Sequence, residues 1–167
     1  MVNIEKLKTI VKGEVAVDSE ALEKYSRDAS LFQIKPEVVV FPKDVADIKA
    51  LVKFTVQENS LQNPVSLTAR SAGTDMTGGP LSNSIVVEVT RHFNHIKKIG
   101  PDYAITEPGV YYRDFEKETL KHNLIFPSYP ASRELCAMGG IVANNSGGEK
   151  TLTYGKTEKY VEEIKMV

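Results

Sequence analysis

The sequence predicts an α+β chain in two parts, a βαβ unit followed by a mainly antiparallel sheet with helices. Three observations predict it. First, Glu37-Val38-Val39-Val40-Phe41-Pro42 is a continuous apolar run ended by proline, which suits a strand buried on both faces. Second, an amphipathic segment and another short apolar run at 65–69 follow it directly, the order of a right-handed parallel crossover. Third, beyond residue 95 the chain breaks into short apolar pieces turned by Gly and Pro, the pattern of paired antiparallel strands.

The elements follow in chain order. Ile4, Leu7, Ile10 and Val11 recur at helical spacing over residues 3–12. A second short helix is expected at 19–26, capped by Asp18 or Ser19. Residues 1–35 thus read as a helical packing arm, 36–92 as the first unit and 93–167 as the second. After the strand at 37–42, Asp44 caps a helix whose first turn carries Asp47 at its positive end. Val45, Ile48, Leu51, Val52 and Val56 form its expected buried stripe, and Asn59 with Asn63-Pro64 stops it. The strand at 65–69 leads into a glycine-rich loop, and the strand at 85–89 returns from it. Residues 95–99 and 103–106 read as a strand pair turned by Gly100-Pro101-Asp102. Residues 111–121 read as a helix with Phe115 and Leu120 inward and Glu116-Lys117-Glu118 solvated. Leu124-Ile125-Phe126 reads as a short strand, Pro127-Ser128-Tyr129-Pro130 as extended backbone, and 160–167 as the start of a strand.

Composition narrows the partners. Apolar residues are 41% and charged residues 26% of 167, enough for a real core. Net charge is −1, from 21 basic and 22 acidic residues, which offers no electrostatic footprint for nucleic acid. No apolar run approaches the roughly 20 residues of a membrane helix, and the N-terminus lacks the pattern of a secretory signal. A single cysteine, Cys136, excludes an internal disulfide framework. A cytoplasmic protein, without membrane insertion, is expected.

The stretch Arg70-Ser71-Ala72-Gly73-Thr74-Asp75-Met76-Thr77-Gly78-Gly79-Pro80 is the most informative. It leaves the end of a strand, where ligands of α/β sheets sit. Glycine lets the backbone curl, and successive N–H groups in a curl form a concavity for an anion. Two hydroxyls, the amide-rich backbone and one arginine favour a diphosphate. The loop is not of Walker type: Gly73 and Gly78 have the spacing, but Gly79 and Pro80 stand where Lys and a hydroxyl belong. No G-x-G-x-x-G occurs. The plainer reading is a glycine-rich connection. A second small-residue stretch runs from Met138 to Gly148, with Gly139-Gly140, Asn144 and Gly147-Gly148. Alone it reads as a tight helix start with a glycine stop. Together the two stretches suggest two backbone walls around one extended ligand.

The ordered series of pieces resembles the FAD-binding domain of the vanillyl-alcohol-oxidase-type (PCMH-type) flavoproteins. Within it, the branch of glycolate oxidase flavin subunits and D-lactate dehydrogenases is most similar. The pieces are Tyr25-Ser26-Arg27-Asp28, Pro36 to Pro42, Arg70 to Gly79, Pro127 to Ser132, Gly139-Gly140, Asn144 to Gly148 and Tyr154-Gly155. The resemblance implies that Arg70, Ser71, Ala72, Gly73, Thr74, Asp75, Thr77, Gly78 and Gly79 wrap the FAD pyrophosphate, with help from the Thr74 and Thr77 hydroxyls. It implies that Pro42 lies near the adenine side. Pro130, Ala131, Ser132, Cys136, Gly139 and Gly140 then run beside the ribityl chain and flavin, and Asn144, Gly147, Gly148, Tyr154 and Gly155 close the pocket. Relatives that attach flavin covalently often carry histidine at the place of Thr74, so FAD is expected to be held non-covalently.

The resemblance also implies a second sheet that is incomplete in this chain. The substrate or cap domain that usually follows, with its proton-transfer groups, is outside it, so weak or absent FAD retention is expected at this length. The expected activity is oxidation of a 2-hydroxy acid of the glycolate or D-lactate type, given a substrate domain or partner chain, as a homo-oligomer or redox-partner subunit. The alternatives are a non-catalytic dinucleotide-binding module and a structural subunit with an empty site. Other candidates are weak. His92 and His95 lack a third ligand and read as polar turn residues, so no metal is expected. Cys136 reads on its own as a small buried thiol, and Tyr111-Tyr112 as surface and core neighbours.

Overall fold

The computed structural model describes residues 1–167. Helix α1 (Ile4–Ile10) starts at Asn3, whose side chain accepts the Lys6 N–H. Its Leu7 is fully buried beside Val2 and Val11 in the larger core. Strand β1 (Glu14–Ala16), which the periodicity did not reveal, comes next, then helix α2 (Ser19–Lys24) capped by Asp18. Strand β2 (Val38–Phe41), helix α3 (Val45–Glu58), strand β3 (Leu67–Arg70) and strand β4 (Ile85–Glu88) complete the first unit.

The sheet order is β1-β2-β4-β3, with β1 antiparallel to β2 and with β2 and β3 both parallel to β4. The βαβ crossover is therefore present, but β4 inserts between its two strands. Burial explains the order. Every residue of β2 and β4 is buried, whereas β3 is mostly half-exposed. The two most apolar runs take the centre, covered on both faces, and the more polar Leu67–Arg70 takes an edge.

Helix α3 corrects the expected stripe. Asp47, Leu51 and Phe54 are buried and Ile48 is half-buried, while Val45, Val52 and Val56 are exposed. The aromatic bulk of Phe54 turns that face into the core with Leu51. Asp47 is buried because its carboxylate accepts the N–H groups of Lys12 at 2.9 Å, Gly13 at 3.0 Å and Lys43 at 2.8 Å. A buried carboxylate is tolerated where backbone donors satisfy it. It ties the turn after α1 to the turn before α3.

In the second half, β5 (Ile96–Ile99) and β6 (Ala104–Thr106) form the expected antiparallel hairpin. Helix α4 (Tyr112–Leu120) buries Tyr112, Phe115 and Thr119; Leu120, expected inward, is exposed. Glu116 is not a solvated face residue. Its carboxylate accepts the Tyr112 hydroxyl at 3.1 Å and pairs with the Arg133 guanidinium. Residues 124–126 are not a strand. The Phe126 carbonyl accepts the Tyr112 hydroxyl at 3.0 Å, and its ring packs on Tyr112, Phe115 and Tyr160. Pro127 and Ser128 form a turn rather than extended backbone. Helices α5 (Met138–Ala143) and α6 (Thr151–Tyr154) and a 3-10 turn at Thr157–Tyr160 follow. Residues 161–167 carry no strand, because no neighbouring strand pairs with them. A second core of Val110, Tyr112, Phe115, Tyr129, Cys136, Met138 and Ile141 holds this half together. No helix is long and apolar enough to cross a membrane.

Candidate dinucleotide site

The first small-residue stretch leaves the C-terminal end of β3, as expected for a parallel sheet. It curls at two glycines with left-handed backbone, Gly73 (φ 69°) and Gly78 (φ 86°). Its far half is held from inside. The Asp75 carboxylate accepts the Thr77 hydroxyl at 2.7 Å and the Gly79 N–H at 2.8 Å. The Thr77 hydroxyl first, and the amides of Gly79 and its neighbours after it, hold the Asp75 carboxyl below the ordinary aspartate range against a smaller opposing effect of burial. Its near half is different. No protein acceptor takes the N–H of Ser71, Ala72, Gly73, Thr74 or Asp75. Such donors are satisfied almost everywhere in folded proteins by protein, water or ligand. Five neighbouring free donors therefore lie together on a half-buried curl, an arrangement that suits an anion.

Arg70 is placed elsewhere than on that concavity. It is buried, donates to the carbonyls of Arg27 at 2.7 Å and Tyr25 at 3.4 Å, and lies 5.2 Å from the centroid of the Tyr25 ring. Burial weakens its hold on the proton, and the nearby Tyr25, Asp28 and Glu88 oppose that. The Thr77 hydroxyl is likewise occupied, on Asp75, whereas the Thr74 hydroxyl donates to no protein group.

The second stretch is a helix start, as its plainer reading held, and it also meets the first stretch. The Pro108 carbonyl accepts the Gly139 N–H at 2.8 Å and the Ser71 hydroxyl at 3.2 Å. A Cβ on Gly139 would lie 2.7 Å from both Ser71 Oγ and Pro108 Cβ. The two walls touch there because residue 139 has no side chain. One position on, a Cβ at Gly140 would meet nothing within 4 Å, and the Gly140 N–H has no acceptor. Gly147 also carries a free N–H.

The rest of the second wall is pinned from behind. Asn145 (φ 45°) exchanges hydrogen bonds with Glu158, and the Ser146 carbonyl accepts both the N–H and the hydroxyl of Thr157. Gly148 packs against the Tyr129 carbonyl and Pro130, in space that a side chain would fill. Pro130, Ala131 and Ser132 form the turn before Cys136, whose N–H bonds to the Ser132 carbonyl at 2.9 Å. The Cys136 thiol faces the second core, where burial raises its pKa. Asn144 caps α5, and Gly155 (φ 83°) ends α6 just after Tyr154. Pro42 is buried at the same end of the sheet as Ser71, just past β2, but β4 separates β2 from β3.

His92 and His95 are kept apart by their partners. The first bonds to Glu14 at 2.7 Å and the second to Glu107 at 2.9 Å. Sequence reasoning gave no role to the Tyr25 and Arg27 carbonyls, to Pro108, or to Thr157 and Glu158. Of these, only the motif Tyr25-Ser26-Arg27-Asp28 left a signal.

The comparisons agree with this geometry. A glycolate oxidase subunit GlcD of Escherichia coli (strain K12) is 32% identical over 149 residues, 86% of this chain and 29% of that protein. A D-2-hydroxyglutarate dehydrogenase of the same strain is 28% identical over 144 residues, 85% of this chain and 14% of that protein. The chain therefore spans well under a third of the length of these relatives. Among solved structures, an alkyldihydroxyacetonephosphate synthase superposes with a TM-score of 0.78 at 21% identity, over 93% of this chain and 31% of that one. p-Cresol methylhydroxylase superposes at 0.71 with 19% identity, over 86% of this chain and 29% of that one, so the PCMH-type fold is the one observed. The family model described as FAD binding domain matches residues 36–167, and with it the chain belongs to the FAD-binding domain family.

Proposed function

We propose that this chain is the FAD-holding part of a flavin oxidoreductase that oxidises a 2-hydroxy acid. The observation that carries the reading is the row of free N–H donors from Ser71 to Asp75, beside a second stretch that meets it at Gly139 and has free donors at Gly140 and Gly147. Backbone donors of this kind suit the diphosphate of FAD. The open space at Gly140 suits close approach of the cofactor to the main chain. FAD is held without a covalent bond, since Thr74 supplies no ring nitrogen to attach it. When bound, the flavin supplies the redox chemistry, accepting the α-hydrogen of the hydroxy acid as a hydride equivalent. This chain's residues bind and orient it. Groups that bind substrate and move its proton come from further sequence or a partner chain, as the length of the relatives suggests.

The test is reconstitution with FAD, then anaerobic addition of D-lactate, glycolate or D-2-hydroxyglutarate to a longer form or complex that carries a substrate domain. Bleaching of the flavin absorbance by one of them is expected. Bound flavin that none of the hydroxy acids reduces would reject the oxidoreductase reading and leave a dinucleotide-binding module.

A further inference from the structure

We infer that the N-terminal arm, through Arg70, is a lock that holds the 71–79 loop in its binding shape, so that residues 25–32 are part of the cofactor site without touching the cofactor. The inference rests on the FAD reading only for the ligand; the lock itself is a property of the chain alone. The family match begins at residue 36, and the arm lies before it.

Five contacts join arm and loop. The Arg70 guanidinium donates to the Tyr25 and Arg27 carbonyls and stacks on the Tyr25 ring. The Ala29 N–H donates to the Asp75 carbonyl at 3.1 Å. The Phe32 ring lies 3.1 Å from where a Gly78 side chain would begin. The guanidinium itself fills the place where a Gly73 side chain would project, on the side of the loop turned toward the arm. Arg70 therefore backs the near half of the loop, and the arm fixes Arg70 in place. A planar guanidinium reaches the two carbonyls from two separate nitrogens with its face on the ring; a lysine ammonium has a single nitrogen and no plane to stack.

This geometry also gives the cation a second task. Arg70 stays charged, since arginine is not deprotonated in proteins. Its charge sits behind the free amides of the loop and favours an anion on them, without direct contact. Asp28 belongs to the same cluster: one oxygen takes the Ser30 N–H at 2.8 Å, and the other is buried without a partner.

The test compares wild type with Arg70→Lys, which keeps the charge, and Tyr25→Leu, which keeps apolar bulk behind the guanidinium. Two readouts are taken on each: the 15N heteronuclear NOE of Ser71, Gly73 and Thr74 in the ligand-free protein, and affinity for FAD and ADP by calorimetry. Thermal unfolding controls for global damage. Both variants are expected to lower the NOE of the loop while melting cooperatively. Both should weaken FAD and ADP by tenfold or more, although Arg70→Lys retains the cation. Loop NOE values unchanged from wild type in both variants would overturn the lock. Full FAD affinity in Arg70→Lys with a rigid loop would instead show Arg70 acting as a simple charge. If wild type binds neither FAD nor ADP while the NOE falls as expected, the lock stands and the diphosphate reading falls. If a variant does not fold, Phe32→Ala, a partly exposed contact on the same loop, replaces it with the same expected NOE change.

Discussion

Gly139 and Gly140 are neighbours in one helix, yet alanine should act on them in opposite directions. In helix α5 either replacement gains about 0.5–1 kcal/mol of backbone entropy. At Gly140 nothing lies within 4 Å of the new methyl, so the gain should stand. At Gly139 the methyl would lie 2.7 Å from Ser71 Oγ, 2.7 Å from Pro108 Cβ and 2.9 Å from the Pro108 carbonyl oxygen. Ser71 can rotate away, but Pro108 is tied to the same residue through the Gly139 N–H. Overpacking of that kind costs about 1–3 kcal/mol, for a net loss of up to about 2.5 kcal/mol. The backbone gain is common to both variants, so they should differ by the overpacking cost, about 1–3 kcal/mol, or about 2–12 °C in Tm for a chain of this size. Circular dichroism melts measure the gap. Calorimetry should show FAD weakened in both, because Gly139→Ala displaces Ser71 and Gly140→Ala fills the open space beside a free N–H. Gly139→Ala melting at or above Gly140→Ala would refute the contact between the two walls.

Asp47→Asn removes one acceptor oxygen from a group serving three backbone donors, and hydrogen bonds to a charged acceptor are worth about 1.5–3 kcal/mol each. A loss of about 2–4 kcal/mol in urea unfolding is expected, with FAD affinity at the folded plateau unchanged. The Asp75 carboxyl is held below the ordinary aspartate value of 3.8, so its hold on Gly79 should persist from neutral pH down past that value. It should be lost only as pH falls through the lowered folded value, since a depressed carboxyl stabilises above its unfolded pKa. An NMR titration of the Gly79 amide follows this, and Asp75→Asn should flatten it at every pH. Cys136, buried and with its thiol pKa raised by burial, should resist iodoacetamide at pH 8 in the folded chain and react fully in denaturant.

What the sequence carried depended on the kind of signal. Continuous apolar runs and caps are local, so Val38–Phe41, Ile85–Glu88, the Asp18 and Asp44 caps and the hairpin at residue 100 were all legible. Strand order is not local, and β4 between β2 and β3 followed from burial of the whole sheet. In α3, counting valines misled, because a buried aspartate and a phenylalanine define the inner face and three valines face water. The glycine stretch was legible as a curl, since left-handed backbone at Gly73 and Gly78 demands that residue type. The orientation of Arg70 was not. Nothing in its own neighbourhood shows that two carbonyls more than forty positions earlier take up its guanidinium. Pro108, joining the two walls through one carbonyl oxygen, left no trace in the sequence at all.

The most direct measurement is a 15N–1H spectrum of the chain during titration with FAD, ADP and riboflavin. FAD and ADP should both move the amides of Ser71, Ala72, Gly73 and Thr74 in a saturable way, even if binding is weak, and riboflavin should leave those four still. Saturable FAD binding that leaves these amides unmoved and shifts a different set would contradict the account.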